Sequence, residues 1–305
     1  MCWKIRAWVS LQAPAVTLCS PAAGTKSANM FGLTTLSKVS SLPTVRTSYG
    51  VKRLIPSNAQ FAFEALIIAG GGGTAFGGGG GGGFRTTTGT FISKITVTVG
   101  AGGASMTVGG ASSIAATNFA TFSSSGGGRG ATNPSNAGAG GSGGGASNDS
   151  GGSGGAGNAG SYSPVEGYAG GNNVSSGRGA GGGGAGGVGG NSTSGNNPGL
   201  GGSSASSSIT GTSTAYAGGG GGGGGPNTAG GGGGAGQGSA SADGSTNGAA
   251  NTGGGSGGNF DASGSGGSGI VILRYLGGQR VVGGTVTSAG GYTIHSFTAS
   301  GTFEY

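Results

Sequence analysis

Cysteine is nearly missing from this chain: Cys2 and Cys19 are the only two among 305 residues. The pair is enough for one disulfide. It is not enough for a metal site, because no Cys/His cluster with ligand spacing exists. Neither a metal nor a cofactor is expected, and the long cysteine-free remainder gives no reading of redox compartment. Histidine is rarer still, with His295 alone. It alternates with apolar residues in YTIHSF, the setting of a structural strand histidine, and no acid lies near it in sequence to support a general base. The acids are Glu64, Asp149, Glu166, Asp243, Asp261 and Glu304. They are dispersed and form no paired-carboxylate pattern. Matches to G-x-G-x-x-G are many and uninformative at this composition, and none runs on into the Lys-Ser/Thr of a phosphate loop. These absences together read as a protein that is not an enzyme. No apolar run reaches the roughly 18 residues a membrane-spanning helix needs, so no membrane span is expected.

Charge is also scarce, and it is unevenly placed. Lys4, Arg6, Lys26, Lys38, Arg46, Lys52 and Arg53 precede residue 61 with no acid among them, while the six remaining basic residues balance the six acids. The basic pI therefore belongs to a leader, and the neutral body has no electrostatic reason to bind nucleic acid. Within the leader, MCWKIRAWVSLQAPAVTLCSPAAG has early positives, a mixed apolar run and a small-residue end. That is a signal-peptide outline, interrupted by Gln12 and Pro14. The alternative is an upstream extension with Met30 as the start. Residues 1–60 are read as a basic leader or attachment segment, with 1–29 signal-like and 30–60 made of short extended pieces and turns.

What the chain has is glycine, 87 residues of it against a usual share of about 7%. Only Gly24, Gly32 and Gly50 precede residue 61. The body divides into three zones. Residues 61–122 are a β-rich entry region: Leu66, Ile67 and Ile68 close an apolar run that meets a wall of glycine, and FISKITVTV alternates Ile95, Val97 and Val99 with Lys94, Thr96 and Thr98, the pattern of a half-buried strand. Residues 270–305 are a β-rich exit region, where Ile270, Val271, Ile272 and Leu273 form a run buried on both faces of a sheet. Between them, 123–269 offers Val165, Val174, Val188, Leu200, Ile209 and Phe260 as its only large aliphatic or phenylalanine side chains. These are too few for the hydrophobic effect to order so long a zone against chain entropy.

Such composition ordinarily makes a flexible linker. Two features oppose that here. Strand sequences flank the zone on both sides, and small outward-type residues fall three apart (Ser153 and Ala156; Ala185, Val188 and Asn191; Ser265 and Ser268). Three residues per turn is the period of a left-handed extended helix. With glycine at the intervening positions, such helices can approach closely and hydrogen-bond sideways, and the long runs Gly77 to Gly83 and Gly218 to Gly225 suit fully enclosed ones. The expected fold is mainly non-α: a bundle of polyglycine-II-type extended helices bracketed by short β-strands or a β-sandwich, with no sizeable α-helix in the body.

ALIIAGGGG, TVTVGAGG, GGSGIVILRY and GGYTIHSFTASGTF together resemble the signatures of the glycine-rich domain proteins of bacteriophage tail fibres and of marine bacterial or viral genomes, over about 61–305. The resemblance implies packed polyglycine layers between β-strands. It is also similar to tail-tip adhesins that present variable loops to a host surface, and it carries no catalytic residues. One stretch is out of phase: YTIHSFTASGTF, which in that family precedes the strand entering the glycine, sits here at the C-terminus. Either the chain is cut from a tandem array, or 297–305 pairs back near 61–68 or completes a neighbouring subunit by strand addition.

The functional expectation is a structural and adhesive module of a phage tail fibre or similar appendage, located on the virion or outside the cell, that binds a host receptor or glycan through loops. Tyr162, Tyr168, Tyr216 and Phe260 are the aromatics of the glycine zone and, with Glu166 and Asn172, the candidate ligand contacts, since tyrosine in a polar loop offers a rigid amphipathic face. The competing reading for each aromatic is that it plugs a bundle edge or packs on its own turn. The competing functions are a secreted structural matrix or surface protein, and a flexible linker.

Overall fold

Phe61–Ile68 (β3) and Ile270–Leu276 (β10) lie far apart in sequence yet pair antiparallel, with Leu66 opposite Ile272 and Glu64 opposite Arg274. They form the middle of the larger sheet in a computed structural model that describes residues 2–4, 17–19, 60–74, 76–132, 136–147, 151–174, 177–193, 197–225, 228–240, 246–259 and 264–305. The chain divides into two units, Met1–Pro56 and Ser57–Tyr305. In the first, Cys2–Lys4 (β1) pairs antiparallel with Thr17–Cys19 (β2), which places Cys2 opposite Cys19 in register. The remaining expectations for the leader, the signal-like outline and the start at Met30 among them, lie outside the described residues.

In the second unit β3 pairs along its whole length with Phe84–Phe91 (β4). Lys94–Thr98 (β5), Ser112–Ala116 (β6) and Phe119–Ser124 (β7) follow. Ala205–Ser207 (β8) and Thr214–Tyr216 (β9) make a separate hairpin. After β10 come Thr285–Ala289 (β11), Tyr292–Phe297 (β12) and Gly301–Glu304 (β13). One sheet has the order β11-β12-β10-β3-β4 and the other β13-β5-β6-β7. All named pairs are antiparallel, and no described residue is α-helical.

Period-two patterning fixes how the sheets face each other. Ile95 and Val97 point inward from β5 while Lys94, Thr96 and Thr98 are exposed. With Phe61, Phe63, Ile67, Phe91, Ile114, Leu273 and Phe303 they build the core between the sheets. Ala65 through Ile68 are buried on both faces, because a second cluster covers the outer face of the larger sheet. There Ile209 and Tyr216, from the β8–β9 hairpin, close over Leu66, Ile68, Ile272 and Ile294.

The C-terminal stretch is used within the chain. β13 pairs with β5, Thr302 opposite Thr96, and Phe297 pairs with Val271. The partner of 301–304 is thus β5 rather than β3, and this strand is not left free for a neighbouring subunit. The reason is packing: Phe303 is fully buried, with ring centroids of Phe91 and His295 at 5.1 and 4.9 Å. The outer edge of β13 is met in turn by Val282, which exchanges two backbone hydrogen bonds with Glu304.

At one end of this sandwich the strands continue into glycine. β3 and β4 pass into segments 69–74 and 76–83, still joined by Ala69 N–H to Gly83 C=O and Gly72 N–H to Gly80 C=O. β5, β6, β7 and β10 are likewise flanked by glycine at that end. Along 77–83 the donors rotate through three neighbours with period three. Gly77, Gly80 and Gly83 donate to Ala131, Gly128 and Ser125; Gly78 and Gly81 to Ala180 and Gly183; Gly79 and Gly82 to Ser256 and Gly253. The carbonyls of 76–83 accept from three further segments, through Gly72 and Ala69, Ser142 and Gly145, and Gly220 and Gly223. This segment therefore has hydrogen-bonded neighbours on six sides, where a β-strand has two. Segment 217–224 repeats the scheme, donating to 76–83, 199–204 and 235–239 and accepting from 179–185, 228–232 and 253–258.

Both long glycine runs are buried throughout. A Cβ on any residue from Gly77 to Gly82 would collide with a neighbouring carbonyl oxygen: that of Gly220 at Gly78, of Gly72 at Gly79 and of Ala217 at Gly81. Glycine is the only residue that lets these backbones approach, and its large entropy cost on folding is offset by hydrogen bonds each worth about 0.5–1.5 kcal/mol net. The amides of Gly78 to Gly82 should accordingly exchange with deuterium as slowly as those of β3 and β10. Exchange within seconds across the glycine zone would return it to a linker.

His295 is fully buried in β12. Its Nδ1 lies 2.7 Å from the Gly283 carbonyl and its Nε2 3.4 Å from the Tyr275 hydroxyl. Burial lowers its pKa below the ordinary value, with the Gly283 hydrogen bond opposing. The unfolded chain thus takes up this proton more readily than the folded one. The stabilising contribution is complete above the unfolded pKa, near 6.5, and is lost as pH falls through that value toward the folded pKa. Urea midpoints should drop between about pH 7.5 and pH 5, and His295→Gln should flatten that decline.

Candidate functional site

The glycine segments run either away from the sandwich or back to it. Segments 69–74, 125–131, 142–147, 167–173, 187–193, 217–224, 235–239 and 253–259 run outward; 76–83, 151–157, 179–184, 199–204, 228–232, 246–249 and 264–269 return, as the levels of their cross-links require. The returns near the sandwich are made by described residues, as at 184–187 and 232–235. At the far end the described segments stop short of 75, 133–135, 148–150, 175–176, 194–196, 226–227, 241–245 and 260–263, which link outward to returning segments in sequence and lie outside the described residues. Their sequence is distinctive: all three aspartates of the chain, Asp149, Asp243 and Asp261, fall among them. Asn173 secures the described rim of this end. It is buried, and its Nδ2 donates to the carbonyls of Ser147 and Arg178, the latter at 2.8 Å, while its backbone bridges to Ser192. It thereby ties the segments of Ser147, Arg178 and Ser192 together.

The candidate contacts read from sequence do not converge on one surface. Tyr162 and Glu166 belong to a loop at the near end, where β4 begins and β7 ends. The Arg85 guanidinium lies between the rings of Tyr162 and Phe122, at 3.6 and 3.9 Å from their centroids. The Tyr162 hydroxyl sits 3.0 Å from that of Ser123. Glu166 is fully buried. Its Oε2 accepts from Ser125 N–H at 2.8 Å and the Ser124 hydroxyl at 3.2 Å, its Oε1 from Gly160 N–H at 3.3 Å. Together they clamp the loop onto the ends of the two strands. Tyr216 is a core residue under the β8–β9 hairpin, its hydroxyl pKa raised by burial. Phe260 lies outside the described residues.

Tyr168 and Asn172 are exposed on the flank of the bundle. Asn172 Oδ1 accepts from Gly154 N–H at 2.9 Å, and its own N–H donates to Asn191 Oδ1 at 2.8 Å. Its side chain thereby replaces a missing glycine neighbour at the edge of the array. On this flank exposure recurs every third residue, at Ser153 and Ala156, at Val188 and Asn191, and at Asn197, Leu200 and Ser203. No separate sequence signal marks Arg85 or Asn173, whose roles depend on neighbours distant along the chain. Among the described residues no group of three His, Cys, Asp or Glu side chains is placed to hold a metal ion. No helix among them is long and apolar enough to cross a membrane.

A family model described as a glycine-rich domain matches residues 48–276. The match ends with β10 and leaves out β11, β12 and β13, the strands that carry the displaced YTIHSFTASGTF. No curated protein and no solved structure matches the chain. Since the matched span covers most of its length, this chain belongs to the glycine-rich domain family.

Proposed function

We propose that the protein is a non-enzymatic structural and adhesive module of a phage tail fibre or similar surface appendage. In this reading threefold helices of polyglycine-II type hold receptor-reading connections at one end, and the module works on the virion or outside the cell. The observation that carries it is the segregation of connections. The connections at the sandwich, the 158–166 loop and the β8–β9 hairpin among them, are tied onto its strands, whereas the stretches that link outward to returning segments in sequence are rich in Ser, Asn and Asp, on a scaffold whose own interior leaves no room for a ligand. Hydroxyl, amide and carboxylate groups there suit a glycan or the polar loops of a surface protein. The test is binding of the full chain to candidate host cells, with Asp149, Asp243 and Asp261 changed together to alanine. A loss of at least tenfold with an unchanged melting temperature is expected. Unchanged binding, or absence of the protein from purified virions, would sink the reading.

A second reading, a secreted matrix or surface protein, draws on the three-residue recurrence of exposed side chains along the flank. It predicts binding to a repetitive solid such as ice. Thermal hysteresis in the wild type that Val188→Lys removes would favour it over the adhesin.

A further inference from the structure

The outer face of the larger sheet carries a cleft of its own. Strand register sets Thr88, Glu64, Arg274 and Ile294 side by side in one cross-strand row, and Thr86, Leu66 and Ile272 in the next. The β8–β9 hairpin turn lies over the apolar part of this face through Ile209 and leaves the part nearest β4 uncovered. The resulting cleft has a volume of about 550 Å³, bounded by Thr86, Thr88, Glu64, Arg274 and residues 207–209. That size falls within the range of small-molecule sites.

The hydrogen-bond inventory says what the cleft can recognise. Arg274 is fully engaged. Nε and Nη2 donate to Glu64 Oε2 at 3.1 and 2.7 Å, Nη1 donates to the carbonyls of Ser208 and Ile209 at 3.3 and 3.2 Å, and the guanidinium lies 4.5 Å from the Tyr292 ring centroid. It forms a rigid wall and offers no free cation. Glu64 uses one carboxylate oxygen on Arg274. Its other oxygen and the hydroxyls of Thr86, Thr88 and Ser208 have no hydrogen-bond partner among the described residues. The open groups are therefore one carboxylate acceptor and three hydroxyls, each able to donate and accept.

An anionic ligand would find no available positive charge here and would meet Glu64. An apolar ligand would leave the hydroxyls and the carboxylate desolvated and unpaired. A polyol satisfies them, its hydroxyls donating to the carboxylate and exchanging hydrogen bonds with Thr86, Thr88 and Ser208. The threonines stand on a strand paired along its full length with β3, so little ordering is needed on binding. We propose that this cleft is a subsite for a neutral saccharide one to two rings long. The proposal stands on the sheet face alone and does not depend on what the far-end connections bind.

The test titrates the full chain with maltose, lactose, cellobiose and N,N′-diacetylchitobiose, with 3′-sialyllactose as the charged comparison, by saturation-transfer NMR and calorimetry. At least one neutral disaccharide is expected to bind. Thr86→Val combined with Thr88→Val, which keeps shape and strand preference, should weaken it at least tenfold while the melting temperature holds. Glu64→Gln should weaken it as well. If that variant fails to fold, the threonine pair still decides. The far-end aspartate variant should bind the disaccharide as the wild type does, which separates this site from the one proposed for the connections. The proposal is overturned if no neutral disaccharide binds at millimolar concentration, if the charged sugar alone binds, or if the threonine variant binds as the wild type does.

Discussion

Gly79→Ala should lower the stability of the second unit by about 3 kcal/mol or more, or abolish folding altogether. A methyl group at this position meets the carbonyl oxygen of Gly72 and crowds the amide of Ser256. In an ordinary core an added methyl displaces side chains, which can rotate away. Here the neighbours are main chain, and moving one of them disturbs its hydrogen bonds to further segments. Gly79 donates to Ser256 and accepts from Gly220, so the displacement spreads through the array. Gly278→Ala is the control, since a Cβ there meets nothing within 4 Å, and it should melt with the wild type. Equal melting temperatures for the two variants would mean that the glycine backbones are not in contact.

Phe303→Ala should cost about 3–5 kcal/mol, the usual range for truncating a buried phenylalanine. The ring is fully buried between the sheets, with centroids of Phe91, His295, Tyr275 and Phe61 at 5.1, 4.9, 6.1 and 6.5 Å. It also anchors β13, whose remaining attachments are the ladder to β5, the bridge to Val282 and an exposed Lys94–Glu304 ion pair at 3.1 Å. Thr302→Ala leaves the ring in place and should cost far less. Chemical denaturation of the two variants gives the comparison. Similar midpoints would mean that the C-terminal strand contributes little and is available for exchange between chains.

Sequence made the local patterns legible and left the long-range partners open, and the division has a physical cause. The alternation of Ile95 and Val97 with Lys94, Thr96 and Thr98 states which side of a strand is wet, whatever the strand packs on. The runs at Ala65–Ile68 and Ile270–Leu273 have no polar residue to turn outward, so burial on both faces follows. Glycine at Gly77 to Gly83 excludes a side-chain core in the same direct way. The partner of 297–305 was open because Phe303 suits any apolar slot, and only the assembled sandwich selects the one beside Phe91. Among the candidate contacts, composition could not separate Tyr162, Tyr168 and Tyr216. One stacks on Arg85, one is exposed on the flank and one lies in the core. The fates of Tyr162 and Tyr216 are set only once the chain has folded back on itself, by Arg85, 77 positions away, and by Leu66, 150 positions away.

The burial of peptide groups in place of side chains has a calorimetric consequence. Exposing apolar surface raises heat capacity by about 0.45 cal/K/mol per Å², and exposing polar surface lowers it by about 0.26. Unfolding a core of side chains is dominated by the first quantity, whereas opening an array such as 76–83 and its six neighbours brings out amide and carbonyl surface in larger share. The heat-capacity increment per residue should therefore fall below the roughly 12–15 cal/mol/K of ordinary domains. A smaller increment flattens the curve of stability against temperature, so this unit would hold a nearly constant margin from cold water to warm, and its low-temperature unfolding would recede far below freezing.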